Sequence, residues 1–325
     1  MIFPLNIYLI AFTAALLTTW LTRSLWRKEF LRVGLVDDPG QRKNHHGPVP
    51  LSGGFAVMTG IAAPIISAAA IIFLNSPDAK SFALLRYGLE KRGLELAAIF
   101  LGAIGMLLLG WIDDKHELSA KKKFTGQFCI ALLVAAAGVR ITLFVPNILF
   151  SYAITILWIL TLTNAFNFMD NMNGLCTGVG LIGAWFFGLS AAADGQYLVA
   201  IVAFVTSGAL LGFLPQNFPK ASAFLGDAGS HLVGFLLAVL AILPHFYTPQ
   251  NQRTWAVLRP LLILAIPLAD LVFVVILRWR MGKPFYIGDN NHFSHQLVQR
   301  GLNPLRAVLA IWLVATLLGW LALLL

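Results

Sequence analysis

The sequence predicts an all-α integral membrane protein with about ten transmembrane helices. Of its 325 residues, 58% are hydrophobic and only 11% are charged, and the mean hydropathy is +0.80. Soluble domains carry about 25% charged residues, so a soluble domain of this composition would lack the polar groups to cover its surface. The third observation is a succession of apolar stretches of about 20 residues, the length of a helix that crosses the hydrocarbon core.

Ten such stretches follow one another along the chain. Their centres lie near Ala15, Ala63, Ala103, Leu132, Ile156, Gly183, Ala203, Val239, Ile266 and Val314. The first stretch has no basic residue before it and no small-residue cleavage site after it, so we expect a retained helix and not a cleaved signal. The segments between the stretches are too short to fold alone, which predicts a single membrane domain over residues 1–325.

The basic residues predict the orientation of the chain. Most of the Lys and Arg residues fall in the segments after the first, third, seventh and ninth predicted helices. Because cytoplasmic loops carry an excess of Lys and Arg, this side is predicted to be cytoplasmic, with both termini outside. The net charge of +9 then reflects topology and does not indicate a nucleic-acid partner. The basic segment 75–93 is the exception, since it lies on the predicted outer face.

Eight of the 14 acidic residues fall on the same side as most of the basic residues. They are Asp37, Asp38, Asp113, Asp114, Glu117, Asp170, Asp227 and Asp289. Orientation does not explain this, because Asp and Glu contribute little to topology. We therefore expect a cytoplasmic active-site cleft where the acidic helix ends meet.

Asp113 and Asp114 directly follow an apolar helix. Repulsion between the two carboxylates and their partial desolvation disfavour the charged form of at least one of them. Such a carboxylate suits a proton acceptor or a group beside a cation. The alternative is a solvated helix end whose charge Lys115 screens. The pair alone does not separate these interpretations.

A second polar group recurs at every third residue, at Asn164, Asn167, Asp170 and Asn173, where the fifth predicted helix should end. This spacing brings the four side chains near one face of a helix or tight turn. Burying so many polar groups at a membrane boundary is costly without partners. A site is therefore favoured over a helix end that is merely capped by polar residues.

The segment from Phe224 to His231 opens the eighth predicted helix. Asp227 or Ser230 would serve as an ordinary N-cap. The functional alternative is that the helix start meets phosphate, while Asp227 holds a divalent cation such as Mg²⁺, which typically takes one or two carboxylates plus substrate phosphates.

Histidines and basic residues supply candidate phosphate contacts. His292 and His295 are three residues apart and would share a helical face, but no matching Cys or His pair supports a zinc site. Two interpretations are left, a phosphate-contacting role and ordinary surface histidines. The basic segments that contain Lys43 and His46, and Lys122, suit either anionic lipid headgroups or a bound diphosphate. Asp270 is an intramembrane acid, for which we consider a function or a structural pair with a basic neighbour.

Taken in order, these motifs resemble the polyprenyl-phosphate N-acetylhexosaminyl-1-phosphate transferases, from Asp37-Asp38-Pro39 through to His295. The resemblance implies a bundle of ten or eleven helices in the bacterial inner membrane. It also implies a Mg²⁺-dependent enzyme, with Mn²⁺ as the alternative ion. Such an enzyme transfers a sugar-1-phosphate from a UDP-N-acetylhexosamine to polyprenyl (undecaprenyl) phosphate and releases UMP. We expect membrane lipid and these substrates as partners, and no nucleic acid. A homodimer is one of the assemblies that we consider.

The resemblance also implies roles for the site residues. Asp113 and Asp114 match the paired aspartates, one of them the base, and Asn167 and Asp227 match the metal-binding positions. Phe224 matches an aromatic residue that stacks on uracil. Catalytic or substrate-binding roles are further expected for Asp170, Asn173, Asn164, Lys43, His46, Lys122, His292 and His295.

Two departures from the family pattern concern Asn173, where many members have Asp, and Ser294, which replaces an inner histidine. The basic-loop ending Val49-Pro50-Leu51-Ser52-Gly53-Gly54 differs from the usual ending in the peptidoglycan enzyme of the family. The Arg42-Lys43 arrangement and the Asn-Phe-Met-Asp turn look closer to the branch that transfers GlcNAc-1-phosphate. The alternatives are a phospho-MurNAc-pentapeptide transferase and, from another class, a polytopic transporter. For the chemistry, direct attack by the lipid phosphate competes with a phosphosugar-aspartyl intermediate.

Overall fold

The computed structural model describes residues 3–37, 47–74, 80–142, 145–244, 254–284 and 291–325. Helices dominate these residues. The α-helices are α1 (Leu5–Arg32), α2 (Gly53–Leu74), α3 (Lys80–Lys91), α4 (Gly93–His116), α5 (Ala120–Ala136), α6 (Ile148–Met169), α7 (Leu175–Ala193), α8 (Tyr197–Asn217), α9 (Gly226–Ile242), α10 (Arg259–Ile263), α11 (Ala265–Arg280), α12 (Phe293–Gln299) and α13 (Pro304–Leu324). A 3-10 helix, Thr254–Leu258, precedes α10, and the strands β1 (Val36–Asp37) and β2 (Val49–Pro50) pair antiparallel.

The helices confirm the predicted all-α membrane architecture. Among the described residues, seven helices (α1, α2, α4, α6, α7, α8 and α13) are long and apolar enough to cross a membrane. An eighth span results if the segment Trp255–Ile263 and α11, bent by 70°, count as one crossing. All ten predicted centres fall inside helices, but α5 and α9 have only 17 residues each. The predicted number of ten crossings therefore stays a prediction.

Helix α3 and the short sheet of β1 and β2 were not predicted. The basic segment 75–93 contains helix α3, whereas the sequence suggested only a loop. The strands β1 and β2 pair Val36 with Pro50 and Asp37 with Val49, just before helix α2 begins. Strands of two residues are too short to produce a periodic pattern. The short sheet connects the end of α1 to the start of α2.

Helix α9 lies at the centre of the bundle, where it packs against α4, α6, α7 and α2. Fifteen of its residues are buried, from Gly226 to Ala241 with Asp227 as the exception. Gly110 on α4 allows the closest approach, because a Cβ there would overlap the carbonyl group of Asp227. The C-terminal end of α4 therefore lies directly against the N-terminal end of α9.

The start of helix α2 holds the other side of the same region. The backbone N–H groups of Gly53 and Gly54 donate to the carbonyl oxygens of Phe224 and Leu225, at 2.9 and 3.1 Å. The N–H group of Phe224 donates to the carbonyl oxygen of Pro50 at 2.9 Å. These bonds hold the segment that leads into α9 against the start of α2.

Candidate active site

Asp114 caps helix α9 from a neighbouring helix. Its Oδ1 accepts the backbone N–H of Asp227 at 2.8 Å, and its Oδ2 accepts the N–H of Ala228 at 3.0 Å. A carboxylate is favourable here, because the first N–H groups of a helix lack partners and carry partial positive charge. The N-cap residue, Leu225, makes no side-chain bond. The interpretation of Asp227 or Ser230 as the cap of α9 is therefore wrong, and the side chain of Asp227 is available for other contacts.

The ammonium group of Lys123 lies where three helices meet. Its Nζ is 2.7 Å from Asp113 Oδ2, 2.9 Å from Asp227 Oδ2 and 3.0 Å from Asn167 Oδ1. These oxygen atoms come from α4, α9 and α6, so three separate elements present acceptors to one positive charge. The acidic and amide motifs of the sequence are thereby brought together in one cluster.

Asn167 fixes the orientation of Asp227. Its Nδ2 donates to Asp227 Oδ1 at 2.8 Å and to Ser230 Oγ at 3.0 Å, while its Oδ1 accepts from Lys123. Because both ends of the amide are bound, Asn167 is held with its oxygen toward the cationic group. The two residues predicted to bind a metal are therefore direct hydrogen-bond partners.

The cluster suits a divalent cation. The Lys123 ammonium marks a point where two carboxylate oxygens and one amide oxygen already surround a positive charge, and such oxygens are ligands of hard cations such as Mg²⁺. Ligand atoms of Asp113, Asp227 and His231 also lie within 4.8 Å of one another. The residues therefore fit the metal ion that the family resemblance implies.

A buried polar chain lies behind this cluster. Asn164 Nδ2 donates to Gln127 Oε1 at 2.7 Å and to the carbonyl oxygen of Leu160 at 2.8 Å. The amide nitrogen of Gln127 then lies 3.4 Å from Nε2 of the fully buried His231. Asn164 was predicted to contact substrate, but its amide nitrogen is committed to this interior network.

Asp170 follows the end of α6, which ends at Met169 as predicted. Burial, together with the nearby negative charges of Asp227 and Asp114, raises the pKa of Asp170 to about 8. The carboxyl group is therefore mostly protonated at neutral pH and available as a hydrogen-bond donor. Asn173 lies in the same turn, where its Nδ2 donates to the carbonyl oxygen of Pro219 at 3.2 Å.

The two histidines lie beside this turn. His292 Nδ1 is 2.7 Å from Asp270 Oδ2, so Asp270 does have the basic neighbour that was considered for it. The His292 and His295 rings are 6.5 Å apart, centre to centre, and they tilt against each other. Phe224 is partly buried and is held by its backbone bonds, with its neighbour Leu225 in the core.

The structure describes only part of the basic segments that were predicted to bind substrate. Lys122 is exposed, while the adjacent Lys123 points into the cluster. Lys43 and His46 lie outside the described residues. The sequence could have indicated that Lys123, and not Lys122, faces the protein interior. Lys123, Gln127 and Ala131 are spaced four residues apart and so lie on one helix face, and both Gln127 and Ala131 are buried.

Comparison with known proteins connects this geometry to a family. A family model described as glycosyl transferase family 4 matches residues 96–245. The probable undecaprenyl-phosphate N-acetylglucosaminyl 1-phosphate transferase of Bacillus subtilis is 30% identical over 94% of this chain and 81% of its own length. The decaprenyl-phosphate N-acetylglucosaminephosphotransferase of Mycobacterium tuberculosis is 33% identical over 94% and 79%. The undecaprenyl-phosphate alpha-N-acetylglucosaminyl 1-phosphate transferase of Escherichia coli K12 is 29% identical over 90% and 77%.

Proposed function

The chain belongs to the polyprenyl-phosphate N-acetylhexosaminyl-1-phosphate transferases of glycosyl transferase family 4, and from this we propose that it transfers GlcNAc-1-phosphate from UDP-GlcNAc to undecaprenyl phosphate. The products are undecaprenyl-diphosphate-GlcNAc and UMP. The names of its relatives support a polyprenyl phosphate acceptor and an N-acetylglucosamine donor. We place the protein in the bacterial inner membrane with its active site toward the cytoplasm, where cell-envelope polysaccharide synthesis begins.

The observation that carries this proposal is the convergence of Asp113, Asn167 and Asp227 on one positive charge, that of Lys123. Phosphoryl transfer requires positioning and charge neutralisation more than covalent help. We propose that Asp227 and Asn167 hold a Mg²⁺ ion, which would neutralise charge on the donor diphosphate. Lys123 supplies a further positive charge beside the same oxygen atoms.

Direct attack is the mechanism that the hydrogen bonds support best. An oxygen of the lipid phosphate forms the new bond to the β-phosphorus of the donor, and the bond to the bridging oxygen breaks as UMP leaves. Asp114 is a poor base, because both of its oxygen atoms accept α9 backbone N–H groups. Both oxygen atoms of Asp113 are bonded as well, to the backbone N–H of Leu118 and to the Lys123 ammonium, but Asp113 faces the cationic group that it shares with Asp227. We therefore propose Asp113, which lies where the phosphates would be neutralised, as the base that takes up the proton of an acceptor phosphate. A covalent role for Asp227 is disfavoured because Asn167 and Lys123 engage both of its oxygens.

We propose that the nucleoside of the donor binds at the turn that follows α6. Asp170 donates a hydrogen bond when protonated, and the amide of Asn173 offers both a donor and an acceptor. Phe224, three residues before Asp227, supplies an aromatic ring. Together these groups offer stacking and edge contacts of the kind that a uracil ring requires.

UMP release by the purified protein tests the proposal. The protein in detergent receives undecaprenyl phosphate, Mg²⁺ and, in separate reactions, UDP-GlcNAc, UDP-GalNAc or UDP-MurNAc-pentapeptide. We expect Mg²⁺-dependent UMP release that is fastest with UDP-GlcNAc and is lost in Asp227→Asn. Absence of release with all three donors would overturn the enzyme assignment, while preference for the pentapeptide donor would move the protein to the peptidoglycan branch.

A further inference from the structure

Asp270 is an acid inside helix α11 that the proposed reaction does not use. Its side chain and that of His292 are both nearly inaccessible, with relative exposures of 3% and 4% for the two residues. Burying an acid inside a membrane helix is costly unless the group is paired. The contacts of Asp270 therefore indicate what the residue contributes.

Both oxygen atoms of Asp270 bind the segment that enters α12. Oδ2 lies 2.7 Å from His292 Nδ1, and Oδ1 accepts the backbone N–H of Phe293 at 2.8 Å. The second bond fixes the direction of the carboxylate, so Oδ2 faces the imidazole. An acceptor at this position holds a proton on Nδ1 of His292 and leaves Nε2 as the nitrogen for an external partner.

The histidine segment is docked against the turn after α6. Ser294 Oγ donates to Asn171 Oδ1 at 2.7 Å, and Asn171 Nδ2 donates to the carbonyl oxygen of Phe168 at 2.8 Å. The ring of Phe168 stands edge-on to the imidazole of His292 with centroids 6.2 Å apart. Phe168 directly follows Asn167, so His292 lies next to the element that holds Asp227.

From these contacts we propose that Asp270 is a positioning residue for the transfer reaction. It orients His292 and accepts the hydrogen bond from Nδ1–H, so that the imidazolium ring, with both nitrogens protonated, donates from Nε2 to the diphosphate of the bound donor. The inference rests on the proposed function, because it names the group that His292 contacts. It also gives the intramembrane acid a role beyond anchoring the chain.

The variant Asp270→Asn separates positioning from anchoring. The Asn oxygen still accepts the N–H of Phe293, but its amide N–H then faces Nδ1 and removes the proton from that nitrogen. The proton of the ring then lies on Nε2, so the hydrogen bond to the diphosphate remains but lacks the positive charge that a proton on both nitrogens supplies. We therefore expect kcat/KM for UDP-GlcNAc to fall roughly 10- to 100-fold, with most of the change in KM and little change in the unfolding temperature.

Three comparisons complete the experiment. His292→Gln should lose as much activity as Asp270→Asn, and the double variant should be no worse than either, because the two residues act as one unit. Asp194→Asn is the matched control, since Asp194 is an acid paired with the buried Arg259 at 2.9 Å, at the other end of α7 from the site. We expect that control to lower the unfolding temperature and leave KM unchanged. Wild-type KM in Asp270→Asn, or additive losses in the double variant, would overturn the inference.

A readout that needs no activity keeps this test independent of the proposed function. Solid-state NMR of protein with ¹⁵N-labelled histidine, reconstituted in lipid, reports which ring nitrogen carries a proton. The His292 signal is identified by its loss in His292→Gln. We expect a protonated Nδ1 in the wild type and an unprotonated Nδ1 in Asp270→Asn. An unchanged Nδ1 would refute the positioning role, whereas inactivity of the wild type with every donor would instead refute the proposed function.

Discussion

The carboxylate of Asp114 binds the backbone N–H of Asp227 across the contact between helices α4 and α9. Adjacent aspartates therefore have different partners, because Asp113 binds Lys123 and the backbone N–H of Leu118 instead. One carboxylate sets the position of the α9 start, and the other faces the cationic group. Side-chain direction on α4 alone separates these two residues.

Asp114→Asn and Asp113→Asn should differ in their effect on the start of α9. An amide offers one acceptor oxygen, so Asp114→Asn leaves one N–H of α9 unpaired, and loss of a helix cap costs about 1 kcal/mol. Asp113→Asn instead weakens the bonds to Lys123 and to the N–H of Leu118, so we expect the unfolding temperature to fall in both variants. Hydrogen exchange at the backbone N–H groups of Asp227 and Ala228 should become faster only in Asp114→Asn. Equal exchange at these groups in the two variants would contradict the capping role of Asp114.

Lys123 should compete with divalent cations for the same oxygen atoms. Its ammonium lies 2.7 Å from Asp113 and 2.9 Å from Asp227, so Lys123→Gln removes a positive charge that opposes a metal ion. Even at an effective dielectric constant of about 20, such a charge is worth several kcal/mol. We expect Mn²⁺ to bind the variant at least tenfold more tightly, as measured by electron paramagnetic resonance of the free ion.

The control for this competition is Lys122→Gln, which removes an exposed lysine one residue away. Its Mn²⁺ affinity should match that of the wild type. In the absence of metal, Lys123→Gln should also unfold at a lower temperature, because two carboxylates lose their partner, and Mn²⁺ should restore the loss. A variant whose Mn²⁺ affinity is unchanged would show that the cation binds elsewhere.

The structure shows which parts of the site could be predicted from sequence. The polar spacing at Asn167 and Asp227 was predictive because these residues lie at helix ends that pack together. The cap from Asp114 to Asp227 was not predictable, since it joins residues far apart in the chain and depends on the close packing of α4 and α9. The choice of Lys123 over Lys122 was predictable in principle from helical phase.

The membrane architecture followed from composition, whereas the number of crossings did not. Helices α5 and α9 are too short to be recognised as crossings by length alone, and the bend before α11 divides another apolar stretch. Helix α3 escaped prediction because its basic residues were interpreted only as a topology signal. Local pattern thus predicted most helices, and tertiary packing decided how the site is assembled.

The stability of the protein should depend on pH through Asp170. Its pKa is raised to about 8 in the fold, mainly by burial, against about 4 in the unfolded chain. The folded state then binds more protons than the unfolded state between these values, so stability decreases as pH rises through this window. Asp170→Asn removes that dependence. Without divalent ions, the unfolding temperature of the variant minus that of the wild type should increase from pH 5 to pH 8. A difference that stays constant over this range would contradict the raised pKa.

Gly110 should be the least replaceable glycine of helix α4. Alanine normally stabilises a helix by about 1 kcal/mol relative to glycine, but a Cβ at Gly110 would overlap the backbone of Asp227 and Ala228, which cannot rotate away. Gly110→Ala should therefore move α9 relative to Asp113 and Asp114, lower the unfolding temperature and abolish UMP release. Gly105→Ala is the matched control on the same helix, because its Cβ would meet only the flexible side chain of Ile130, at 3.2 Å. That variant should keep near-wild-type stability and activity; if both variants behaved alike, the close contact between α4 and α9 would not govern the site.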